Sequence, residues 1–162
     1  MIYRARVFGD DINTDYIIAS RRKRDSLDPA VLRRYLFEEI APEFAASVEP
    51  GDVIVAGKNF GCGSAMEVAV TAVLGAGIHV VLARGFARTY YRNAVNNGLL
   101  PVICDTTGIT EGDRLRLEAD RVWNENTGSR IACEPLPEVM RKIIDEGGLV
   151  AYFRRYGGFE AP

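Results

Sequence analysis

Gly57-Lys58-Asn59-Phe60-Gly61-Cys62-Gly63-Ser64 is the stretch of this sequence whose residue types and spacing can do chemistry. Its three glycines let the backbone approach a ligand closely, and the amides of a following helix start favour an anion. It is not a phosphate loop, because no Gly-Lys-Ser/Thr triplet closes it, and no G-x-G-x-x-G makes it a dinucleotide fingerprint. Ser64 has two readings. Ser64-Ala65-Met66-Glu67 has the form of a capping box, in which Ser64 accepts from the third helical amide and Glu67 reaches back. A serine hydroxyl among backbone amides at a helix N-terminus can also be stabilised as an alkoxide and act as a base. The readings do not exclude each other.

Other residues invite the same comparison. Asp15, in Asn13-Thr14-Asp15-Tyr16, is either a turn or capping aspartate or a carboxylate that orients a partner's histidine in acid catalysis. Arg21-Arg22-Lys23-Arg24 is either a solvated charge run or a clamp for a carboxylate substrate. Arg88 and Arg92, four apart, share a helix face that meets solvent or an anion. The only histidine, His79, falls in the apolar run Ile78–Ala83 and is expected to pack there, which leaves no Ser-His-Asp triad. Cys62, Cys104 and Cys133 are scattered and make neither a disulfide framework nor a metal or iron–sulfur ligand run.

The elements that must position these residues follow from periodicity. Ile2 to Phe8 alternates as a half-buried strand, and Asp10 to Asp15 is polar and loop-like. Asp28-Pro29 starts a helix whose apolar face is Leu32, Tyr35, Leu36 and Ile40. Strand Val53–Ala56 leads through the glycine loop into a helix from near Ser64 to Gly75 or Gly77. Strand Ile78–Ala83 follows, then a helix from Arg88 to Asn97-Gly98, then strand Leu99–Ile103. This β-α-β-α-β order favours a parallel sheet with right-handed crossovers. Ligands of such sheets sit at the carboxyl ends of the strands, and the loops 57–64 and 84–88 both lie on that edge. Residues 111–133 read as short antiparallel strands, and Pro137 opens a helix on Val139, Ile143 and Ile144 that breaks near Gly147-Gly148.

With 162 residues, 48% hydrophobic and 26% charged, the chain is sized and balanced for one globular domain over 1–162. A net charge of -2 gives no reason to expect nucleic-acid binding. No apolar run is long enough for a bilayer and no secretory h-region opens the sequence, so a cytoplasmic protein is expected.

Three segments together resemble the small subunit of the isopropylmalate isomerase and homoaconitase family, whose domain also closes the C-terminus of aconitase. They are Gly9 to Asp15, Gly57 to Glu67, and Gly85-Phe86-Ala87-Arg88 with Arg92-Asn93 and Asn97-Gly98-Leu99-Leu100-Pro101. The resemblance implies an α/β fold, a swivelling β/β/α domain with a mostly parallel sheet flanked by helices and an antiparallel part. It implies a large-subunit partner carrying a [4Fe–4S] cluster, none being bound by this chain alone, and a small hydroxy-carboxylate substrate. Self-association of the isolated chain stays open. Ser64 would remove the carbon-bound proton, and Asp15 would pair with a large-subunit histidine. Gly63, Ala65, Arg21, Arg22, Arg24 and Arg88 would meet the substrate.

Two departures stand out. The family reads Gly-Ser-Ser-Arg-Glu-His where this chain has Gly63-Ser64-Ala65-Met66-Glu67-Val68, so a second serine and a substrate-binding arginine are missing. The loop after Ile18 is basic and about one residue longer than the family's, and Arg24 falls near an arginine of homoaconitase-type loops. The expected activity is 3-isopropylmalate dehydratase, with homoaconitase or alkylmalate dehydratase as alternatives. A relative that only docks a partner would account for Ala65-Met66, and a generic anion-binding domain would use the glycine loop.

Overall fold

The computed structural model describes residues 1–159 and centres on one seven-stranded sheet in the order β4-β3-β2-β1-β5-β6-β7. These are β1 (Ile2–Val7), β2 (Asp52–Ala56), β3 (Val80–Ala83), β4 (Leu100–Ile103), β5 (Arg114–Leu117), β6 (Arg121–Asn124) and β7 (Ser129–Ala132). β1 to β4 are parallel and β5 to β7 extend the sheet antiparallel. The junction is β1, where Ala5 faces Val53 of β2 and Tyr3 faces Leu115 of β5. The expected β-α-β-α-β segment is present as β2, α4 (Val68–Gly75), β3, α5 (Arg88–Asn96) and β4. His79 corrects one expectation: pairing in β3 starts at Val80, so His79 lies just outside the strand and is exposed.

The central strands, β2 from Val53 and β3, are buried on both faces, which is why they are apolar there. The faces nevertheless differ. Ile54, Ala56, Val81 and Ala83 join a cluster with the helices. Val53, Val55, Val80 and Leu82 alternate to the other side, into a second cluster. Every strand contributes to that second cluster, from Tyr3 and Ala5 round to Leu115, Val122 and Ile131. A sheet whose strands all share one interior has curled on itself. Its edges meet accordingly: Cys104, just past β4, bridges antiparallel to Cys133, just past β7, and the Glu134 amide donates to the Ile103 carbonyl at 2.9 Å. The result is a partly closed barrel, with the crossover helices on its outside because sequential right-handed crossovers all fall on one face.

The connection from β1 to β2 carries α1 (Thr14–Ile17), α2 (Pro29–Leu32) and α3 (Phe44–Ser47), with 3-10 turns at Ser20–Arg24 and Arg33–Tyr35. Asp28 caps α2, its carboxylate accepting from the Ala30 amide at 2.8 Å, with Pro29 in the first turn as expected. The helix then ends after one turn instead of continuing to Ile40, which is exposed. Phe37 is the cause. Its backbone takes a left-handed φ of 54° and turns its ring inward, 4.1 Å from the Phe8 ring and edge-on to Phe44. The conformation costs about 1–2 kcal/mol, and burying a phenylalanine offsets it by about 1.5–3 kcal/mol.

After β7 the chain forms α6 (Glu138–Asp145), breaks at Gly147-Gly148, and adds α7 (Leu149–Tyr156), an element the sequence reading did not contain. Both pack on α5 through Val95, Ile143 and Tyr152. Among the described residues no helix is long and apolar enough to cross a membrane.

Candidate active site at the ends of the parallel strands

The carboxyl ends of β1, β2 and β3 run on into three loops, residues 8–13, 57–64 and 84–87, which stay paired in strand order. The Gly57 amide donates to Gly9, Asp11 to Lys58, Gly61 to Ile12 and Thr14 to Cys62, at 2.8–3.0 Å. On the other side the Phe60 amide donates to Gly85 and the Ala87 amide returns to Phe60, at 3.0 and 2.9 Å. The glycine loop is thus the middle of three ribbons, and the two loops expected on this edge do converge. A third, residues 8–13, joins them and leads into α1, which carries Asp15.

Two glycines make the close approach possible. Gly61, at φ 79°, lies flat on the Tyr90 ring, where a Cβ would come within 2.2 Å of it. Gly63, at φ 95°, sits against the Asn13 amide, where a Cβ would come within 2.5 Å. Asn13 in turn caps α1, its side-chain oxygen accepting from the Asp15 amide at 2.9 Å.

Ser64 is not a helix cap. α4 starts at Val68, its N-cap is Glu67 without a side-chain bond, and Ser64 occupies an exposed bend ahead of it. The capping box fails because Met66 turns into the core (6% exposed) and the chain needs those residues to reach it. What holds Ser64 is its carbonyl, which accepts from the buried Thr14 hydroxyl at 2.9 Å. Its own hydroxyl has no partner among the described residues. Thr14 is the positioning residue that sequence reading missed. Its motif was noticed, but the contact exists only because β1 and β2 are neighbours.

Asp15 is half-buried in the first turn of α1, one residue from Thr14, and its carboxylate accepts from the Ser20 amide at 2.8 Å. It therefore does fasten a turn, with its remaining lone pairs still available. The basic segment splits. Arg21 pairs with Glu38 and Glu39, at 3.0 and 2.7 Å. Arg22 pairs with Glu38 at 2.7 Å and lies over the Tyr35 ring at 3.8 Å. Those contacts fix the loop. Arg24 and Arg88 are exposed and have no ion pair among the described residues. Arg88 is the first residue of α5, directly after the Ala87–Phe60 contact.

Asp10 and Arg84 tie the outer loops together at the base of the site. The Asp10 carboxylate accepts from the Lys58 amide at 2.7 Å and from Arg84 at 2.6 Å. The amide bond first, then the guanidinium, hold its pKa below the ordinary value. An iron–sulfur cluster does not fit this chain's own residues. Cys62 lies on the glycine loop, Cys104 and Cys133 at the barrel seam, and among the described residues no three His, Cys, Asp or Glu gather as a metal-ligand group.

The fold is that of the swivelling domain of aconitase-type hydro-lyases: the aconitase C-terminal domain family matches residues 40–107. The chain is 45% identical to a 3-isopropylmalate dehydratase small subunit of Archaeoglobus fulgidus, over 97% of this chain and 96% of that one. It is 43% identical to the methanogen homoaconitase small subunit of Methanocaldococcus jannaschii, over 94% and 90%. A crystal structure of 3-isopropylmalate dehydratase from the same organism superposes with a TM-score of 0.91 at 42% identity, covering 97% and 96% of the two chains. This chain belongs to the family of 3-isopropylmalate dehydratase and homoaconitase small subunits.

Proposed function

We propose that this chain is the catalytic small subunit of a cytoplasmic dehydratase acting on a hydroxy di- or tricarboxylate, with 3-isopropylmalate as the first substrate to test. The observation that carries the reading is the state of Ser64. Its backbone is locked by Thr14 and by the Asn13–Gly63 contact, while its hydroxyl is exposed and has no partner among the described residues. A hydroxyl in water is a poor base, and it becomes useful only when another surface covers it and excludes water. In this reading that surface is a large subunit, which also holds the [4Fe–4S] cluster, for which the described residues gather no ligand group.

Within the covered site Ser64 takes the carbon-bound proton in the dehydration half and returns it at rehydration. Asp15 presents its free lone pairs to a histidine of the large subunit and holds that ring charged. The backbone of Gly63 and Ala65 lies beside the base and borders the substrate. Arg24 and Arg88 supply the cations for its carboxylates, replacing the arginine that Met66 displaces. Arg21 and Arg22 shape the loop that presents Arg24.

Anaerobic assembly with a cluster-loaded large subunit, followed by assay on 3-isopropylmalate, alkylmalates and homocitrate, tests the proposal. Ser64→Ala should lower turnover by about 10²–10⁴-fold while the complex still forms on a sizing column. Undiminished turnover would overturn the assignment of the base. A tricarboxylate substrate is the second reading, favoured by Arg24, which has no ion pair among the described residues, and preference for homocitrate over 3-isopropylmalate would select it. Absence of turnover on every substrate by a properly assembled complex would leave a docking role alone.

A further inference from the structure

Cys104 and Cys133 stand far apart in the sequence and side by side in the fold. They are bridge partners at the point where the two edges of the curled sheet meet, and both side chains face the barrel interior. The amide–carbonyl bond from Glu134 to Ile103 flanks them, which makes them a non-hydrogen-bonded antiparallel pair. In such a pair the Cα atoms are about 4.5 Å apart, within the span a disulfide bridges. Both are free cysteines, and the Cys133 thiol donates to the Ile131 carbonyl at 3.8 Å. Cys104 is buried (6% exposed), whereas Cys133 is half-exposed. A depression lined by Arg84, Asp105, Glu134 and Pro135 opens on the pair from solvent.

We propose that Cys104 and Cys133 are a redox-active dithiol that closes to an intramolecular disulfide across the barrel seam, with a low-molecular-weight disulfide as oxidant. Cys133 is the attacking thiol and Cys104 the resolving one. The Cys133 thiolate attacks one sulfur of the small disulfide, that S–S bond breaks, and one small thiolate leaves and takes up the proton Cys133 has shed. Cys104, deprotonated in turn, attacks the Cys133 sulfur of the mixed disulfide. The second small thiolate departs and takes up that proton. The two protein sulfurs are oxidised and the two sulfurs of the reagent reduced. The division of labour follows from exposure, and charge agrees with it. The Cys104–Cys133 contact, then burial, push the Cys104 thiol up, while the same contact holds Cys133 below the ordinary thiol value.

The test uses the full chain, reduced and then equilibrated with oxidised glutathione. The free thiol titre should fall from three to one, the intact mass should drop by two hydrogens, and peptide mapping should link the peptides of Cys104 and Cys133. Cys62→Ser should leave that linkage intact. Cys104→Ser should stop at a glutathione adduct on Cys133, the step before resolution. A linkage through Cys62, a covalent dimer, or a titre that stays at three in the unsubstituted chain would each overturn the proposal. Because the unsubstituted chain supplies those readings, a folding defect in a variant does not decide the outcome.

Discussion

At the scale of single residues, the site is an exposed hydroxyl held in place by buried polar contacts, and its parts should fail in different ways. Gly63→Ala adds a methyl group against the Asn13 amide at a left-handed backbone position. It should cost about 1–3 kcal/mol of stability, visible as a lowered midpoint in urea, and it should displace Ser64 as well. Arg24→Ala and Arg88→Ala remove exposed cations that have no ion pair among the described residues. Their stability should stay within about 0.5 kcal/mol of the parent, while KM of the assembled enzyme rises for each. An unchanged KM in both would show that neither guanidinium meets a carboxylate. The sequence exposed these residues unevenly. Glycine spacing and the Asn13-Thr14-Asp15 triplet are local signals, so they were legible. The engagement of Arg21 and Arg22 with Glu38 was not, because those carboxylates follow a turn made by Phe37.

At the scale of elements, regular repeats were read correctly and irregular ones were not. Parallel strands, their two crossover helices and the antiparallel extension follow from apolar runs and turn residues, and all are present. The helix expected to run from Asp28 to Ile40 breaks after Leu32, because three aromatic rings from three segments meet there and their packing outweighs helical period. α4 starts late for a related reason: Met66 goes to the core, and the chain must travel to put it there. Phe37→Ala tests the first of these. It should destabilise the protein by about 3–5 kcal/mol, measured by chemical denaturation. A loss under about 1 kcal/mol would mean that the ring does not anchor the segment. No local pattern announces such an anchor, since a left-handed phenylalanine is explained only by what it touches.

At the scale of the whole molecule, charge fastens the central strand β1 to its parallel neighbour β2. Asp52 of β2 is buried, and its carboxylate accepts from Arg4 at 2.6 Å and from Arg6 at 2.9 Å, both on β1. Burial works against the charge, but the bonds from Arg4, the Glu49 amide and Arg6 prevail and hold the pKa below the ordinary value. A carboxylate depressed in the folded state contributes stability that is whole above its unfolded pKa, near 3.8, and is lost as pH falls through the folded one. Thermal midpoints should therefore drop on acidification from about pH 5 to about pH 2, and Asp52→Asn should flatten part of that slope while lowering the midpoint at neutral pH. An equally steep slope in the variant would place the acid sensitivity elsewhere.

The position of β1 has a consequence for how the protein is made. β1 leaves the ribosome before the other six strands of this sheet and becomes its middle strand, with Ala5 beside Val53 on one side and Tyr3 beside Leu115 on the other. One of its partners is synthesised some fifty residues later and the other more than a hundred. Contacts so distant along the chain form slowly. Until β5 emerges, β1 has one bare edge, and an unpaired edge is a template for pairing with another chain. Translation speed through residues 60–115 thus sets how long each nascent chain is exposed to its neighbours on the same message.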